Sequence, residues 1–189
     1  MSYGDVMFYR VLCLFAILGL FSCSDSKQNT SAIQPEISTI EMIDFAKPAG
    51  EVVLKISGGL SQKNQSDELW LDLATIAKLP QTTIKTSTFW TKGESEFRGP
   101  LIRDLLAAIG SKAAIISATA INEYSVEIPV VDIYKYDVIL AIEKDGKPLS
   151  IRDKGPIWIM YPWSSNKRLQ TDKFYARSIW QLVSIELHD

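Results

Sequence analysis

No cysteine follows Cys23 in this chain of 189 residues, and only Cys13 precedes it. The body of the chain can therefore close no internal disulfide and must be held by a hydrophobic core. Material for that core is present: 47% of the residues are hydrophobic, with many β-branched and aromatic side chains. A stretch of this size can bury enough apolar surface to stand without staples. The same absence removes the softest metal ligand from the body. The single histidine, His188, leaves Ser-His-Asp and Cys-His catalysis without their base, and no Cys/His cluster is spaced for zinc. Gly58-Gly59 lacks the pattern of a phosphate-binding loop. A formal net charge of −2 gives no support for nucleic-acid binding.

The first residues read as an export signal. Arg10 closes a short leading region, and Val11 to Phe21 form an apolar run about half as long as a membrane-spanning helix needs. Leu20-Phe21-Ser22-Cys23 resembles a bacterial lipobox, in which Cys23 is lipidated and becomes the first mature residue. This predicts an extracytoplasmic, periplasmic lipoprotein. The expected organisation is a signal segment over residues 1–23, a tether over 24–49 and one domain over 50–189. Ser24 to Ser31 is polar, as a flexible linker should be. Ile37, Ile40, Met42, Ile43 and Phe45 are apolar and expected to pack on the edge of the domain.

Within the domain, strands dominate. Val52 to Ile56 reads as an opening strand. Leu69 to Leu73 starts as a strand, and the stretch to Leu79 turns helical before Pro80 stops it. Thr82 to Thr88 is strand-like by its β-branched content. The clearest helix is expected over Pro100 to Ile109, with Gly99 at the cap, Pro100 in the first turn and Gly110 past the end. Ala113–Thr119 and Tyr124–Ile128 read as strands, and Pro129 opens a short turn or helical turn to Tyr136. Val138 to Ile142 is continuously apolar and expected to be buried on both faces. Asp145-Gly146 signals a hairpin. Ile157–Tyr161 and Ile179–Leu187 supply the last strands. The predicted class is α+β with a mixed, mostly antiparallel sheet and few short helices.

Three stretches carry a resemblance to a known family. They are Phe97 to Leu106, with Gly99-Pro100-Leu101 leading into a helix; Asp145 to Trp158, with Gly146-Lys147-Pro148-Leu149, a polar bend and Gly155-Pro156; and Tyr175 to Ile185, where Arg177 precedes a final apolar strand. Their order and spacing resemble the sulfite oxidase-like, or oxidoreductase molybdopterin-binding, family. The resemblance implies that family's fold and a pterin-shaped pocket. In the family's enzymes a cysteine thiolate in the strand before the helix binds molybdenum. The equivalent position here falls on Ser87, flanked by Thr86 and Thr88. A serine hydroxyl is a harder donor than sulfur and far less acidic than a thiol. Thr86-Ser87-Thr88 instead makes a hydroxyl-lined wall suited to hydrogen bonding, or simply a threonine-rich strand.

A pterin is a flat fused ring with amide-like edges. It asks for an aromatic face to stack on and for donors and acceptors at its rim. Trp90 follows the hydroxyl wall and is the candidate for stacking, against the commoner fate of a core tryptophan. Asn122, Glu123 and Tyr124 place an amide, an acid and a phenol at a turn. Arg152, Asp153 and Lys154 form the densest charge cluster of the domain, at the bend that the family uses to contact its pterin; a solvated loop is the rival reading. Tyr175 and Arg177 match the family's basic, phosphate-side segment, where Arg177 would hold a phosphate or carbonyl, or merely pair with a surface acid.

The missing thiolate and the export signal together lead to a binding module. Some thiol-less proteins of this fold are non-catalytic, bind a reduced pterin outside the cytoplasm and contact the periplasmic domain of a membrane-bound cyclic-di-GMP enzyme. The alternative is a molybdenum cofactor-dependent oxidoreductase with Ser87 in place of the cysteine. Arg10 has no neighbouring arginine, so the signal lacks the twin-arginine form used to export folded, cofactor-loaded enzymes. A chain that crosses unfolded must collect its ligand outside, which suits a small free pterin. A third reading keeps the fold only as an interaction surface with no small-molecule ligand.

Overall fold

The computed structural model describes residues 43–189. The expected signal segment, Cys23, the tether to residue 42 and the apolar Ile37, Ile40 and Met42 lie outside the described residues. The elements run in the order β1 (Val52–Gly58), β2 (Leu69–Asp72), α1 (Leu73–Lys78), β3 (Gln81–Ser87), β4 (Glu94–Pro100), α2 (Ile102–Ala108), β5 (Ile115–Ala120) and β6 (Ser125–Pro129). They continue with α3 (Val130–Lys135), β7 (Ile139–Ala141), β8 (Glu143–Lys144), β9 (Lys147–Pro148), β10 (Trp158–Met160), α4 (Asp172–Arg177) and β11 (Leu182–His188). This is an α+β fold with mostly antiparallel sheets and short helices, as the strand-rich sequence leads one to expect.

The largest sheet has five strands in the order β2-β1-β11-β5-β6. All its pairs are antiparallel except β1 with β11. Alternation decides which face is buried. Leu54 and Ile56 of β1 point inward with exposed Lys55 between them, and Ile116, Ala118 and Ala120 do the same in β5. Helices α1 and α2 add Ile76, Ile102, Leu105 and Leu106 to this core, and Phe45 joins it from the leading strand of chain.

A four-stranded sheet, β3-β4-β8-β9, and a pair, β10-β7, make a second, smaller core around Phe97, Ile139, Ala141, Trp158 and Met160. Every residue of β7 and β10 is buried, which accounts for their unbroken apolar character. The β8–β9 turn places Asp145 and Gly146 at φ of 50° and 73°, the left-handed pair that a two-residue hairpin loop demands.

Strand β4 and helix α4 have no counterpart in the sequence reading, and α2 starts later than expected. Gly99 and Pro100 end β4 rather than opening the helix, which begins at Ile102 after Leu101. Strand β4 pairs with β3 along its whole length, up to Pro100 opposite Gln81. A side chain on Gly99 would stand 1.8 Å from the Leu140 carbonyl oxygen, so glycine serves a close approach to β7, not a cap. The segment before β11 is also broken: Asp172–Arg177 forms α4, anchored by buried Phe174 against Tyr136 and Tyr161.

Asp72 closes β2 and caps α1. Its carboxylate accepts hydrogen bonds from Thr75 and from the Gly50 amide at 2.9 Å. These bonds hold its carboxyl down at about 2. No helix among the described residues is long and apolar enough to cross a membrane.

Candidate functional site

The loop between β3 and β4 builds the site. Thr88 Oγ1 accepts a hydrogen bond from the Trp90 amide at 3.1 Å and lies 2.9 Å from Thr91 Oγ1. This local turn fixes the backbone at Trp90. The indole then meets Trp180 at 4.9 Å, Trp163 at 5.7 Å and Trp158 at 6.0 Å between ring centroids. Four of the chain's five tryptophans are thus in one cluster. Phe89 and Tyr175 extend it outward, 4.3 Å apart, with Phe89 73% exposed. Edge-on and tilted contacts dominate, the arrangement that ring quadrupoles favour.

Three adjoining cavities open on this wall. An apolar one of about 300 Å³ lies between Trp90, Tyr124, Tyr175, Ile179 and Trp180, with Asn122 at its edge. A smaller one of about 230 Å³ is lined by Ser87, Thr88, Phe89, Trp163, Gln170 and Tyr175. A third, of about 420 Å³, lies on Trp90 and Trp158 and gathers Lys144, Lys147, Arg152 and Lys154 together with Asp145 and Asp153. Trp90 is common to the first and third, and Tyr175 to the first and second.

The structure therefore brings Ser87, Thr88, Trp90, Asn122, Tyr124, Arg152, Asp153, Lys154 and Tyr175 onto one composite cleft. It does not bring Thr86, Glu123 or Arg177 there. Thr86 is fully buried, and its hydroxyl accepts from the Ser164 amide at 3.0 Å. Ser164 returns the contact by accepting from the Ser87 amide at 2.9 Å. The threonine is a clip between β3 and the turn at Trp163–Ser165, because β-strand alternation turns it inward as it turns Ser87 outward. Glu123 sits exposed at the tip of the β5–β6 turn, with φ of 66°, and lines none of the three cavities. Arg177, at the end of α4, is ion-paired with Asp132 of α3, the two side chains being only 13% and 14% exposed. Helix α4, which the sequence reading missed, turns this arginine away from the cleft and leaves Tyr175 facing it.

Sequence reasoning also missed Phe89, Trp163, Trp180, Gln170, Lys144 and Lys147. The tryptophans carried a signal in their rarity, but nothing local said that they converge. Trp158 Nε1–H donates to the Ser178 carbonyl at 3.0 Å, which ties β10 to the end of α4. Trp163 Nε1–H is buried with no hydrogen-bond partner among the described residues. Asp145 accepts from the Glu96 amide at 2.9 Å, a bond that keeps its carboxyl below the usual range. Lys154, at φ of 70°, holds its ammonium 4.2 Å above the Trp180 ring.

The donor set decides what this cleft can hold. Ser87 Oγ and Ser164 Oγ stand 3.3 Å apart at the position that the resemblance gives to a thiolate. Hydroxyls, amides and indole faces fit a flat, amide-edged ring. They supply no soft sulfur ligand, and no group of three or more His, Cys, Asp or Glu side chains among the described residues is arranged for a metal. His188 lies elsewhere, on β11, at 2.9 Å from Ser117 Oγ.

Comparisons with known proteins bear on the family and the fold. The family model described as the oxidoreductase molybdopterin binding domain matches residues 54–169, more than half of the chain. The crystal structure of the sulfane dehydrogenase SoxCD from Paracoccus pantotrophus shares the fold, with a TM-score of 0.54 at 17% sequence identity. The alignment covers 72% of this chain and 38% of that one, so the similarity spans well under half of the larger protein. No curated protein matches the chain. The family match contains Ser87, Trp90 and the basic bend, and it stops before α4 and β11. The description of that family model names molybdopterin, a pterin-containing cofactor, as what such domains bind. The chain belongs to the oxidoreductase molybdopterin-binding domain family, with the sulfite oxidase-like fold.

Proposed function

We propose that this domain binds a reduced pterin without metal-centred redox catalysis and reports its presence to a membrane partner. One observation carries the reading: an aromatic cleft is built around Trp90, while the position that the resemblance gives to the metal-binding cysteine is Ser87, a hydroxyl beside a second hydroxyl. Trp90 and Trp180 offer faces for stacking. Asn122 Oδ1 is occupied by the Tyr124 amide at 3.2 Å, so its NH₂ group is the part free to meet a ring carbonyl. Burial of a flat ring here displaces water from indole surface, worth about 1 to 3 kcal/mol per stacked ring.

The export reading of residues 1–23 puts this binding outside the cytoplasm, and lipidation of Cys23 holds the domain at a membrane surface. There its effective concentration near a membrane-bound cyclic-di-GMP enzyme is raised. Phe89 and Tyr124, exposed at the rim of the cleft, offer a partner surface that borders the ligand directly.

Titration of the protein with tetrahydropterin, followed by tryptophan fluorescence, tests the binding step. Saturable quenching that is weakened by Trp90→Ala is expected. A flat titration contradicts the reading. Capture of the cyclic-di-GMP enzyme's periplasmic domain in a pterin-dependent manner is the expected second result.

A molybdenum-dependent oxidoreductase is the second reading. Ser87 lines a cavity, which keeps its oxygen available as a ligand. That reading predicts stoichiometric molybdenum and turnover with an artificial electron acceptor.

A further inference from the structure

The edge of a sheet exposes backbone N–H and C=O groups that another chain can pair with, and proteins usually cover or blunt it. Of the four edges of the two larger sheets, three are blunted. At β2 the Asn64 side chain brackets Trp70. Its Oδ1 accepts from the Trp70 amide at 2.8 Å, and its Nδ2–H donates to the Trp70 carbonyl at 2.8 Å. Strand β6 ends in Pro129, carries exposed Glu127 and has α4 packed beside it. Strand β9 is two residues long, and one of them is Pro148.

Strand β3 is different. It has seven residues and is rich in β-branched side chains. Its backbone orientation is fixed by β4. The Arg98 carbonyl accepts from the Ile142 amide at 2.9 Å, and the Glu96 carbonyl accepts from the Asp145 amide at 2.8 Å. Glu96 and Arg98 therefore face away from β3, and Ser95, Phe97 and Gly99 bond to Thr86, Ile84 and Thr82 opposite them. Gln81, Thr83 and Lys85 turn their N–H and C=O groups outward. No hydrogen bond reaches those groups among the described residues. The next outward residue, Ser87, is closed, because its amide donates to Ser164 Oγ at 2.9 Å. Pro80 bounds the other side. Lys85 is the kind of side chain that discourages pairing, but it is drawn to within 3.6 Å of Glu96, across the sheet and away from the edge.

The open window thus holds three outward residues with Thr83 at its centre. It is complementary to itself. An antiparallel copy related by a two-fold axis at Thr83 sets Thr83 opposite Thr83, Lys85 opposite Gln81 and Ile84 opposite Thr82. Each outward pair exchanges two backbone bonds. Threonine against threonine is a favourable cross-strand pair, and lysine meets an amide. Centring the axis on Lys85 would oppose the two lysines and set Thr83 against the closed Ser87. We infer that two copies of this chain associate through β3, antiparallel about Thr83, and join their four-stranded sheets into one of eight strands. The inference is independent of the ligand reading. Because Ser87 ends β3, the two clefts come to lie at opposite ends of the joined strands.

The test is sedimentation of the full chain over a concentration series, with cross-linking of introduced cysteines. The window is short and its surroundings polar, so a dissociation constant on the order of tens of micromolar is expected, weaker than a standard-size interface gives. The weight-average mass should rise toward twice that of the chain. T83P removes the N–H at the two-fold axis from an outward position, where proline is tolerated. This variant should stay monomeric at concentrations where the parent is dimeric, with melting like the parent's. T83V keeps the backbone and should dimerise like the parent. If T83P melts early, K85P at the second outward position supplies the same readout. T83C should form a disulfide-linked dimer on oxidation, since the Cα atoms of a hydrogen-bonded pair stand about 5.5 Å apart. K85C alone should not exceed the background of the parent, whereas K85C mixed with Q81C should. A parent that stays monomeric across the series overturns the dimer. A dimer that persists in T83P or K85P of unchanged melting overturns the edge. Cross-linking of K85C equal to that of T83C overturns the register. A monomer whose Thr83 and Lys85 amides are protected from hydrogen exchange at every concentration assigns the edge to an occupant within the same chain and overturns the second copy.

Discussion

The five-stranded sheet and the aromatic cleft solve opposite problems within one domain. In the sheet, aliphatic side chains such as Leu54, Ile116 and Ile185 alternate with polar ones, and the ladder hydrogen bonds satisfy the backbone. In the cleft, large aromatic rings meet at their edges, cations lie at the rim, and hydroxyls face each other. The sheet consumes its chemistry in packing. The cleft leaves chemistry over: cations without an ion-pair partner among the described residues, an amide NH₂ and exposed rings. The difference separates residues that hold the fold from residues available to a ligand.

Substitutions on the two sides of that line should behave differently. Leu54→Ala, at a fully buried position of the sheet, should cost about 4 kcal/mol in urea unfolding and leave pterin affinity of the folded protein unchanged. A change in affinity as large as the change in stability would break the separation. Arg177→Ala comes next. The account treats this arginine as structural, so the variant should lose about 3 kcal/mol of stability by stranding Asp132, with affinity within about twofold of the parent. A large affinity loss without destabilisation would return Arg177 to the ligand site. Trp90→Ala belongs to the other class. It should weaken pterin binding by about tenfold or more, measured by calorimetry.

The smallest effect concerns the cap of α1. Asp72→Ala should cost about 1 kcal/mol. The Asp72 carboxyl is depressed from 3.8 to about 2 in the folded protein. A group with a depressed folded value stabilises above its unfolded value and loses that contribution as pH falls through the folded one. Stability should therefore decline as pH drops from about 4 toward 2, and Asp72→Asn should flatten that part of the profile relative to the parent. An unaltered acid limb in Asp72→Asn would remove the role given to the cap.

Much of the sheet was legible in the sequence because its determinants are local. Alternation marks β1 and β5, Asp145-Gly146 marks the hairpin, and Pro80 ends the segment after α1. Strand β4 was hidden because Glu94, Glu96 and Arg98 dominate its composition, although Ser95 and Phe97 keep the period of two. Helix α4 was hidden because six residues give little propensity signal, and Phe174 secures it only through tertiary contacts. The cleft was half legible. Ser87 comes from the family resemblance, and Trp90, the turn at Asn122 and the bend at Arg152 lie in compact local stretches beside the segments that carry it. Trp163 and Trp180 reach Trp90 only through the crossing of separate elements, and Arg177 changes sides because it closes a helix that the sequence reading did not include.

The central claim is that the cleft keeps the pterin and has given up the metal. Mass spectrometry of the small molecule released on denaturing the purified protein, combined with molybdenum analysis of the same sample, tests it most directly. The account predicts a pterin without molybdenum. Molybdopterin released together with stoichiometric molybdenum would contradict it.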